Sequence, residues 1–223
     1  MATSLTPPLT LVIGNKNYSS WSLRPWLFLR YHDIDFNEVR IPLYVPESKA
    51  TLLSYSPAGR VPVLVDGDLR IWESLATLEY LAERFPATAA WPVERAARAH
   101  ARSIAAEMHA GFAALRKTCG MNLRRRYAFE ALPAEVEADA DRVRTIWTEC
   151  RERHRGEGPF LFGPFSIADA MYAPVVWRFD GYSLPIEGLA RGYVDHMLAL
   201  PAMQAWREAA LAEVEVLPQF ERK

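Results

Sequence analysis

Residues 56–74 constrain the fold of this chain more than any other stretch, and they read Ser-Pro-Ala-Gly-Arg-Val-Pro-Val-Leu-Val-Asp-Gly-Asp-Leu-Arg-Ile-Trp-Glu-Ser. Pro57 and Gly59 close a loop, and a short apolar strand follows it. Asp66-Gly67 is a typical tight turn between two strands, and Ser74 is a favourable residue for starting a helix. The segment therefore predicts a β-hairpin that runs directly into a helix.

Two features of this segment indicate a place where a ligand docks. Pro62 has no N–H, so Val61 at the mouth of the strand keeps its backbone N–H and C=O groups free for an outside peptide. At Glu73-Ser74 a helix begins, and its free N–H groups and dipole favour a carboxylate beside the Ser74 hydroxyl. Taken separately, each feature also fits a structural role, the start of a strand or the cap of a helix. In this order and spacing they favour a peptide-like ligand with a free carboxylate.

A second anion-favouring site is predicted near the start of the chain. Leu9–Gly14 is a short apolar run suited to a buried strand, and the polar loop 15–20 follows it. Apolar residues at helical spacing predict a helix over 22–31, with Pro25 tolerated in its first turn. The serines of this region would then lie at a helix N-terminus, where a thiolate is stabilised. Alternatively, Ser19, Ser20 or Ser22 only caps the helix.

The remaining pattern predicts an α/β region followed by helices. Residues 36–41 fit a second strand, 46–54 a short irregular helix, and 74–85 an amphipathic helix that lies on the sheet. Residues 87–92 lack periodicity and contain prolines. We therefore expect domains at 1–86 and 94–223 with a linker at 87–93. The second domain is predicted to be all helical, with helices at 94–118, 133–154, 164–179, 188–200 and 201–214.

Ser166-Ile167-Ala168-Asp169 has the form of a capping box, with Asp in place of the usual Glu. The Asp169 carboxylate is expected to bind the N-terminal amides of a buried helix. Its predicted role is therefore structural.

The composition of the chain limits which kinds of molecule it can attract by overall charge. The chain has 26 Lys and Arg against 27 Asp and Glu, so no global charge attracts nucleic acid or an anionic membrane. No apolar stretch is long enough to span a membrane, and the N-terminus does not look like a signal peptide, so a cytoplasmic location is expected.

Cys119 and Cys150 lack metal-ligand or redox spacing, and no metal site is predicted. The run Arg124-Arg125-Arg126 is interpreted as a solvated helix end or loop. A clamp for an anionic substrate is the less favoured alternative.

The run Pro-x-Gly-x-Val-Pro-x-Leu, followed by a turn, Glu-Ser and an apolar helix, resembles the glutathione-binding half of the cytosolic glutathione transferases. The resemblance implies a thioredoxin-like α/β N-terminal domain, an all-α C-terminal domain, and a cis peptide bond before Pro62. Residues 19–24, Ser-Ser-Trp-Ser-Leu-Arg, are similar to the zeta-class motif Ser-Ser-Cys-Ser-Trp-Arg, and the first serine also matches the active serine of the tau class. Ser19 is thus the implied donor to the glutathione sulfur, with Tyr18 and Ser20 as competitors. Trp21 departs from the zeta cysteine.

The resemblance also implies the rest of the site. Glutathione, as co-substrate, would be held by Lys49, Arg60, Val61, Pro62, Glu73 and Ser74. The second substrate would lie between the domains, against Tyr44, Met108, Phe112, Leu115 and Arg116.

The implied function is conjugation of glutathione to small hydrophobic electrophiles, as in detoxification, by a homodimer. Two alternatives stay open at this point. One is a zeta-like cis-trans isomerase of a dienoic acid, and the other is a non-catalytic binding module of transferase type.

Overall fold

The structure, a computed structural model, describes residues 8–128 and 130–221. Four strands form one sheet: β1 (Leu9–Ile13), β2 (Phe36–Arg40), β3 (Val63–Asp66) and β4 (Leu69–Trp72). Their order is β2-β1-β3-β4, with β1 and β2 parallel and the other two pairs antiparallel. The predicted mixed sheet and the hairpin of residues 63–72 are thus confirmed.

The first three helices cover the two faces of this sheet. They are α1 (Ser20–Tyr31), α2 (Ser48–Tyr55) and α3 (Ser74–Arg84). On one face, Leu11 and Ile13 of β1 join the large core that α1 and α3 share with the C-terminal helices. On the other face, Val12 packs with Leu52 of α2 in a small separate cluster. Alternation along β1 assigns these residues to opposite faces, because successive strand side chains point in opposite directions.

The C-terminal part contains only helices in the described ranges. These are α4 (Arg95–Ala110), α5 (Ala113–Thr118), α6 (Ala134–Arg153), α7 (Ile167–Gly181), α8 (Gly188–Ala199) and α9 (Pro201–Ala212), with short 3₁₀ turns at Pro86–Thr88 and Pro218–Phe220. Helix α7 lies at the centre, since every residue from Ile167 to Phe179 is buried. Within the described ranges, none of the helices combines the length and the apolar character that crossing a bilayer requires.

Two helix predictions need correction. Helix α1 begins at Ser20, because the carbonyl of Ser19 already accepts from the Leu23 N–H, so Pro25 falls in the second turn. The predicted helix over 94–118 is divided into α4 and α5. Gly111 ends α4, where an added Cβ would lie 2.7 Å from the Glu107 carbonyl oxygen, and Phe112 adopts a left-handed φ of 54°. A backbone in that region does not continue a right-handed helix.

The capping box at the start of α7 is confirmed, and Asp169 is fully buried in it. Its carboxylate accepts from the Ser166 N–H at 2.9 Å, the Ser166 hydroxyl at 3.0 Å and the Leu161 N–H at 3.0 Å. Burial raises the pKa of Asp169 to about 6, although these hydrogen bonds oppose the shift. The carboxylate thus ties the loop before α7 to the central helix of the domain.

We expect Asp169→Ala to lower the free energy of unfolding by about 2–4 kcal/mol, because it leaves two buried N–H groups without an acceptor. The matched control is Glu94→Ala, which removes an exposed cap of α4 that accepts from Ala96 and Ala97. That change should cost about 1 kcal/mol. Urea unfolding of both variants measures the difference. Equal losses would contradict a special role for the buried carboxylate.

Candidate active site

A cavity of about 1360 Å³ lies between the sheet domain and the C-terminal helices. Its wall on the sheet side comes from residues 18–21 before and within α1, from 43–52 around α2, and from 59–61 before β3. Its other walls come from α5, from Arg178 of α7, from Tyr182, and from the C-terminal residues 219–221. The cavity therefore brings the serines at the start of α1 together with Gly59, Arg60 and Val61 of the 56–74 segment.

Ser19 lines this cavity at the N-terminus of α1. Its hydroxyl oxygen lies 2.7 Å from the Ser22 hydroxyl oxygen, and Ser22 in turn accepts from the Gly14 N–H at 3.1 Å. When Ser22 donates to Ser19, the proton of the Ser19 hydroxyl is left free to be donated elsewhere. The Ser19 side chain makes no capping hydrogen bond to the backbone of α1 among the described residues, so its hydroxyl does not serve as the helix cap.

The competitor Tyr18 also lines the cavity, but its hydroxyl is occupied. It donates to Glu221 at 2.6 Å and accepts from Arg124 at 2.9 Å and from the Leu217 N–H at 3.3 Å. Glu221 and Leu217 belong to a C-terminal segment, residues 213–221, whose end lines the cavity, and Arg124 also bonds this segment through the carbonyls of Glu213 and Glu215. The Tyr18 hydroxyl therefore anchors this segment. Ser20 is half-buried on the cavity wall and stays a competitor of Ser19.

A smaller cavity of about 120 Å³ adjoins the first, and residues Arg60, Val61 and Trp21 line both. It is also bounded by Pro62, Trp72, Glu73 and Ser74. The Val61–Pro62 peptide bond is cis, as the resemblance implied. The two ligand-docking features of residues 56–74 thus line one small cavity.

Behind the Ser74 hydroxyl lies a buried cation that the sequence did not indicate. Arg24 donates from Nη1 to Ser74 Oγ at 3.3 Å and from Nε to the Met171 carbonyl at 3.1 Å. Burial lowers the pKa of Arg24 well below its usual value, and the nearby Arg178 and Arg116 lower it further. An arginine nevertheless stays charged at neutral pH, so Ser74 combines a helix N-terminus with a fixed positive charge.

Glu73 holds an unusual backbone conformation at this place. Its φ is 69°, a value that non-glycine residues adopt rarely and that is found preferentially at ligand sites. Its carboxylate is half-exposed and lies 3.7 Å from His109 Nε2 of α4. Burial, and then Arg24, lower the pKa of His109, so this imidazole is neutral at pH 7 and leaves the Glu73 charge largely uncompensated.

The two predicted cations lie on the sheet side of the larger cavity. Lys49 of α2 and Arg60 are both exposed and line the larger cavity. The Lys49 ammonium approaches Gly59, since a Cβ added there would lie 2.5 Å from Nζ. The two cations therefore flank the same loop, next to Val61.

The predicted second-substrate residues separate into two groups. Tyr44 and Arg116 line the larger cavity. Met108, Phe112 and Leu115 lie in the hydrophobic core, with at most 6% of their surface exposed, so their assignment to the cavity wall is corrected. That assignment assumed one continuous helix, whereas the chain breaks at Gly111 and Phe112 between α4 and α5.

Trp21, Phe220 and Arg178 are among the lining residues that were not predicted. Trp21 contacts the guanidinium of Arg24 at 4.1 Å and that of Arg116 at 5.4 Å from its ring centre. Phe220 packs against both Tyr18 and Tyr44. Arg178 stands in the largely apolar helix α7, and a lone arginine in a buried helix is the sequence signal that could have identified it.

The other polar candidates have structural partners. Arg124 anchors the C-terminal segment through the carbonyls of Glu213 and Glu215. Arg125 pairs with Glu221, and Arg126 pairs with Asp180. Cys119 and Cys150 are buried, and burial raises the pKa of Cys150 to about 12. Among the described residues, the His, Cys, Asp and Glu side chains form no cluster of three or more that could hold a metal ion.

Comparison with known proteins gives two family matches that together cover most of the chain. The profile of the glutathione S-transferase N-terminal domain matches residues 18–84. The profile of the glutathione S-transferase C-terminal domain matches residues 96–209.

Individual relatives carry different names. A dichloromethane dehalogenase of Methylophilus leisingeri is 39% identical over 66 residues, 29% of this chain and 25% of that protein. A stringent starvation protein A homolog of Pasteurella multocida is 30% identical over 153 residues, 68% and 66% of the two chains. A probable maleylacetoacetate isomerase of Caenorhabditis elegans is 40% identical over 86 residues, 38% and 39%. The aligned stretch thus spans only a quarter to two thirds of the length of these relatives.

Among solved structures, a glutathione transferase homolog from Burkholderia with bound glutathione is similar in fold. It has a TM-score of 0.69 and 23% identity, and the match covers 92% of this chain and 98% of that one. At this identity the likeness supports the architecture alone.

We expect Tyr18→Phe to loosen the C-terminal segment, because it removes a hydroxyl that bonds Glu221, Arg124 and Leu217. Loss of about 1–1.5 kcal/mol should speed amide hydrogen exchange in residues 213–221 about five- to tenfold. The control is Tyr55→Phe, whose hydroxyl has no hydrogen-bond partner among the described residues. Mass spectrometry of exchanged peptides makes the comparison, and identical exchange in the two variants would refute the anchoring role.

Proposed function

The chain belongs to the glutathione S-transferase family, and on that premise we propose that it lowers the thiol pKa of bound glutathione and adds the sulfur to small electrophiles. The observation that carries this proposal is the position of Ser19. Its hydroxyl faces the large cavity at a helix N-terminus and has a second hydroxyl behind it.

The site offers a complementary group for each charged end of glutathione. The γ-glutamyl end has an ammonium and a carboxylate, which match the Glu73 carboxylate and the Ser74 hydroxyl with Arg24 behind it. The backbone of Val61 matches the central peptide unit. The glycine carboxylate at the far end matches Lys49 and Arg60. In this orientation the cysteine sulfur comes between the two ends, on the side of Ser19.

Activation of the thiol needs only modest energy. Free thiols of this type are mostly protonated at pH 7, and the thiolate is the nucleophile. Lowering the pKa by about two units corresponds to about 2.7 kcal/mol. One hydrogen bond from Ser19 to a charged sulfur, together with the dipole of α1, supplies this amount. Ser19 then acts as a donor to the thiolate and is not required as a base.

The chemistry that follows is a nucleophilic addition or displacement. The thiolate attacks an electrophilic carbon, a carbon–sulfur bond forms, and the electron pair goes to the acceptor or leaves with a leaving group such as a halide. The dichloromethane dehalogenase among the relatives is named for a substrate of this second kind.

The runner-up is glutathione-dependent isomerisation of a dienoic acid. It is favoured by the relative named as a probable maleylacetoacetate isomerase and by Ser19-Ser20. Trp21, in place of the zeta-class cysteine, opposes it. A cis-dienoic acid that is converted to the trans form without consumption of glutathione would identify this activity.

A binding role without catalysis is the third reading. The name of the relative from Pasteurella multocida states no enzymatic activity. The joint presence of Ser19, cis Pro62, Glu73 and Ser74 favours catalysis, because a module that only binds a partner has no need of a thiol-activating hydroxyl. We further propose a cytoplasmic homodimer, as is common in this family, and sedimentation measures its mass directly.

The decisive experiment is a pH titration of glutathione bound to the purified protein, followed by the ultraviolet absorbance of the thiolate. Transferase chemistry predicts a bound thiol that ionises about two pH units below its free pKa of about 8.5. Bound glutathione with an ordinary thiol pKa would exclude this mechanism and favour the binding module.

For Ser19→Ala we expect glutathione to bind with a dissociation constant within about threefold of the parent, while the bound thiol pKa moves back toward its free value. Turnover should fall roughly 10- to 100-fold, because the lost hydrogen bond acts on a charge. Ser20→Ala tests the competitor, and Ser103→Ala, on the exposed face of α4, is the control. If Ser19→Ala keeps the low thiol pKa and Ser20→Ala loses it, the role passes to Ser20.

A further inference from the structure

The large cavity has a local excess of positive charge that the whole chain does not have. Lys and Arg number 26 against 27 Asp and Glu over the sequence. Among the described residues that line the cavity, five are basic and one is acidic: Lys49, Arg60, Arg116, Lys117, Arg178 and, as the acid, Glu221. That acid is already shared by Tyr18, Asn122 and Arg125. The excess is therefore available to a ligand.

Arg178 is the most unusual of these cations, because it is only 5% exposed. Its Nη1 donates to the backbone carbonyls of Arg116 and Cys119 at the end of α5. Its Nε is buried without a hydrogen-bond partner, and no carboxylate in the described ranges pairs with the guanidinium. Burial lowers the pKa of Arg178 to about 10. A buried charge in this state is costly unless an anion compensates it.

Arg116 places a second guanidinium next to the first. It is half-buried, donates from Nη1 to the His109 carbonyl at 3.3 Å and lies over Trp21. Its Nε is likewise buried and unpartnered within the described part of the chain. Helices α5 and α7 thus present two neighbouring arginines, neither of which has a carboxylate among its described partners.

Glutathione does not account for these two arginines. Under the proposed function, on which this inference rests, its γ-glutamyl carboxylate goes to Ser74 and Arg24. Its glycine carboxylate goes to Lys49 and Arg60, on the opposite, sheet side of the cavity. No carboxylate of glutathione is left for Arg116 and Arg178.

We propose that the second substrate is a small electrophile that bears a carboxylate, and that Arg116 and Arg178 bind this carboxylate on the helical wall of the cavity. The planar guanidinium fork fits a planar carboxylate with paired hydrogen bonds. The apolar part of the substrate lies against Met121, Tyr182 and Phe220, which line the same cavity. Its electrophilic carbon then faces the sulfur next to Ser19.

The competing explanation is that Arg178 only stabilises the end of α5 through the two carbonyls. A structural role of that kind affects charged and neutral substrates alike. A carboxylate-binding role changes the selectivity between them. The test must therefore measure the ratio of kcat/KM between a charged and a neutral form of the same substrate.

The experiment uses 4-chloro-3-nitrobenzoate and its methyl ester with the full chain. In both, the glutathione thiolate attacks the carbon that bears chlorine, the carbon–sulfur bond forms, and chloride leaves with the electron pair. Each kcat/KM is divided by the uncatalysed rate constant with glutathione, which removes the difference in intrinsic reactivity. We expect the carboxylate to be favoured about tenfold or more, the usual effect of hydrogen bonds to a charged group.

Arg116→Gln and Arg178→Gln should each reduce this preference about tenfold. Arg116→Lys, which keeps the charge but lacks the fork, should reduce it by less. Arg207→Gln is the control, because Arg207 is exposed on α9 outside the cavity, and it should leave the ratio unchanged. Arg116→Gln retains every bond of Arg178 to the backbone, so it separates carboxylate binding from stabilisation of α5.

A binding readout makes the test independent of turnover. Calorimetry with 3-nitrobenzoate and its methyl ester, in the presence of S-methylglutathione, should show tighter binding of the acid and loss of that difference in Arg116→Gln. If the ester and the acid bind and react equally, the inference is overturned while the transferase function stands. If neither ester nor acid reacts and the bound thiol keeps its free pKa, the proposed function fails instead.

Discussion

The hydrogen bonds of Arg24 connect the three helices that position the candidate site, α1, α3 and α7. This residue of α1 is buried, yet it donates to the Ser74 hydroxyl at the start of α3 and to the Met171 carbonyl in α7. One guanidinium therefore fixes the helix that carries Ser19, the helix that forms the carboxylate seat and the central helix of the C-terminal domain. This arrangement costs free energy of folding, because the Arg24 charge is desolvated and no described carboxylate lies beside it. Such a cost is tolerated most easily where an anionic ligand completes the structure.

The same reasoning extends across the interface between the domains. Trp21 lies over the guanidiniums of Arg24 and Arg116, so cation–π contacts connect the seat behind Ser74 with the wall of the large cavity. Two guanidiniums thus lie close to one indole ring, and Glu73, which lines the small cavity together with Trp21, is held in a left-handed conformation. Under the proposed function, a ligand with several carboxylates is expected to stabilise this arrangement, since any ligand that binds only the native state adds to its stability.

What could be predicted from the sequence depended on how local the signal is. The turn of the 63–72 hairpin, the Ser74 helix start and the Ser166–Asp169 box are defined within a few residues. The structure has each of them, with the turn one residue later than predicted, at Gly67-Asp68. The break at Phe112 was missed because Gly111 is its only local sign and the apolar spacing continues across it. The bonds of Tyr18 to Glu221 and of Arg24 to Met171 join residues far apart in the chain, so no local pattern contains them. For this reason the helical wall of the cavity was predicted least well.

The size of the cavity determines how selectivity can arise. Ligand pockets commonly measure about 300–1000 Å³ and enclose most of their ligand. This cavity is larger, at about 1360 Å³, and residues 219–221 form part of its wall. A small substrate next to glutathione is therefore not oriented by close apolar enclosure. Orientation must come from a few fixed polar groups, and on the helical side the fixed groups are Arg116 and Arg178, because backbone carbonyls and Trp21 hold their guanidiniums in place. Charge, rather than shape, then decides which electrophile presents its carbon to the sulfur.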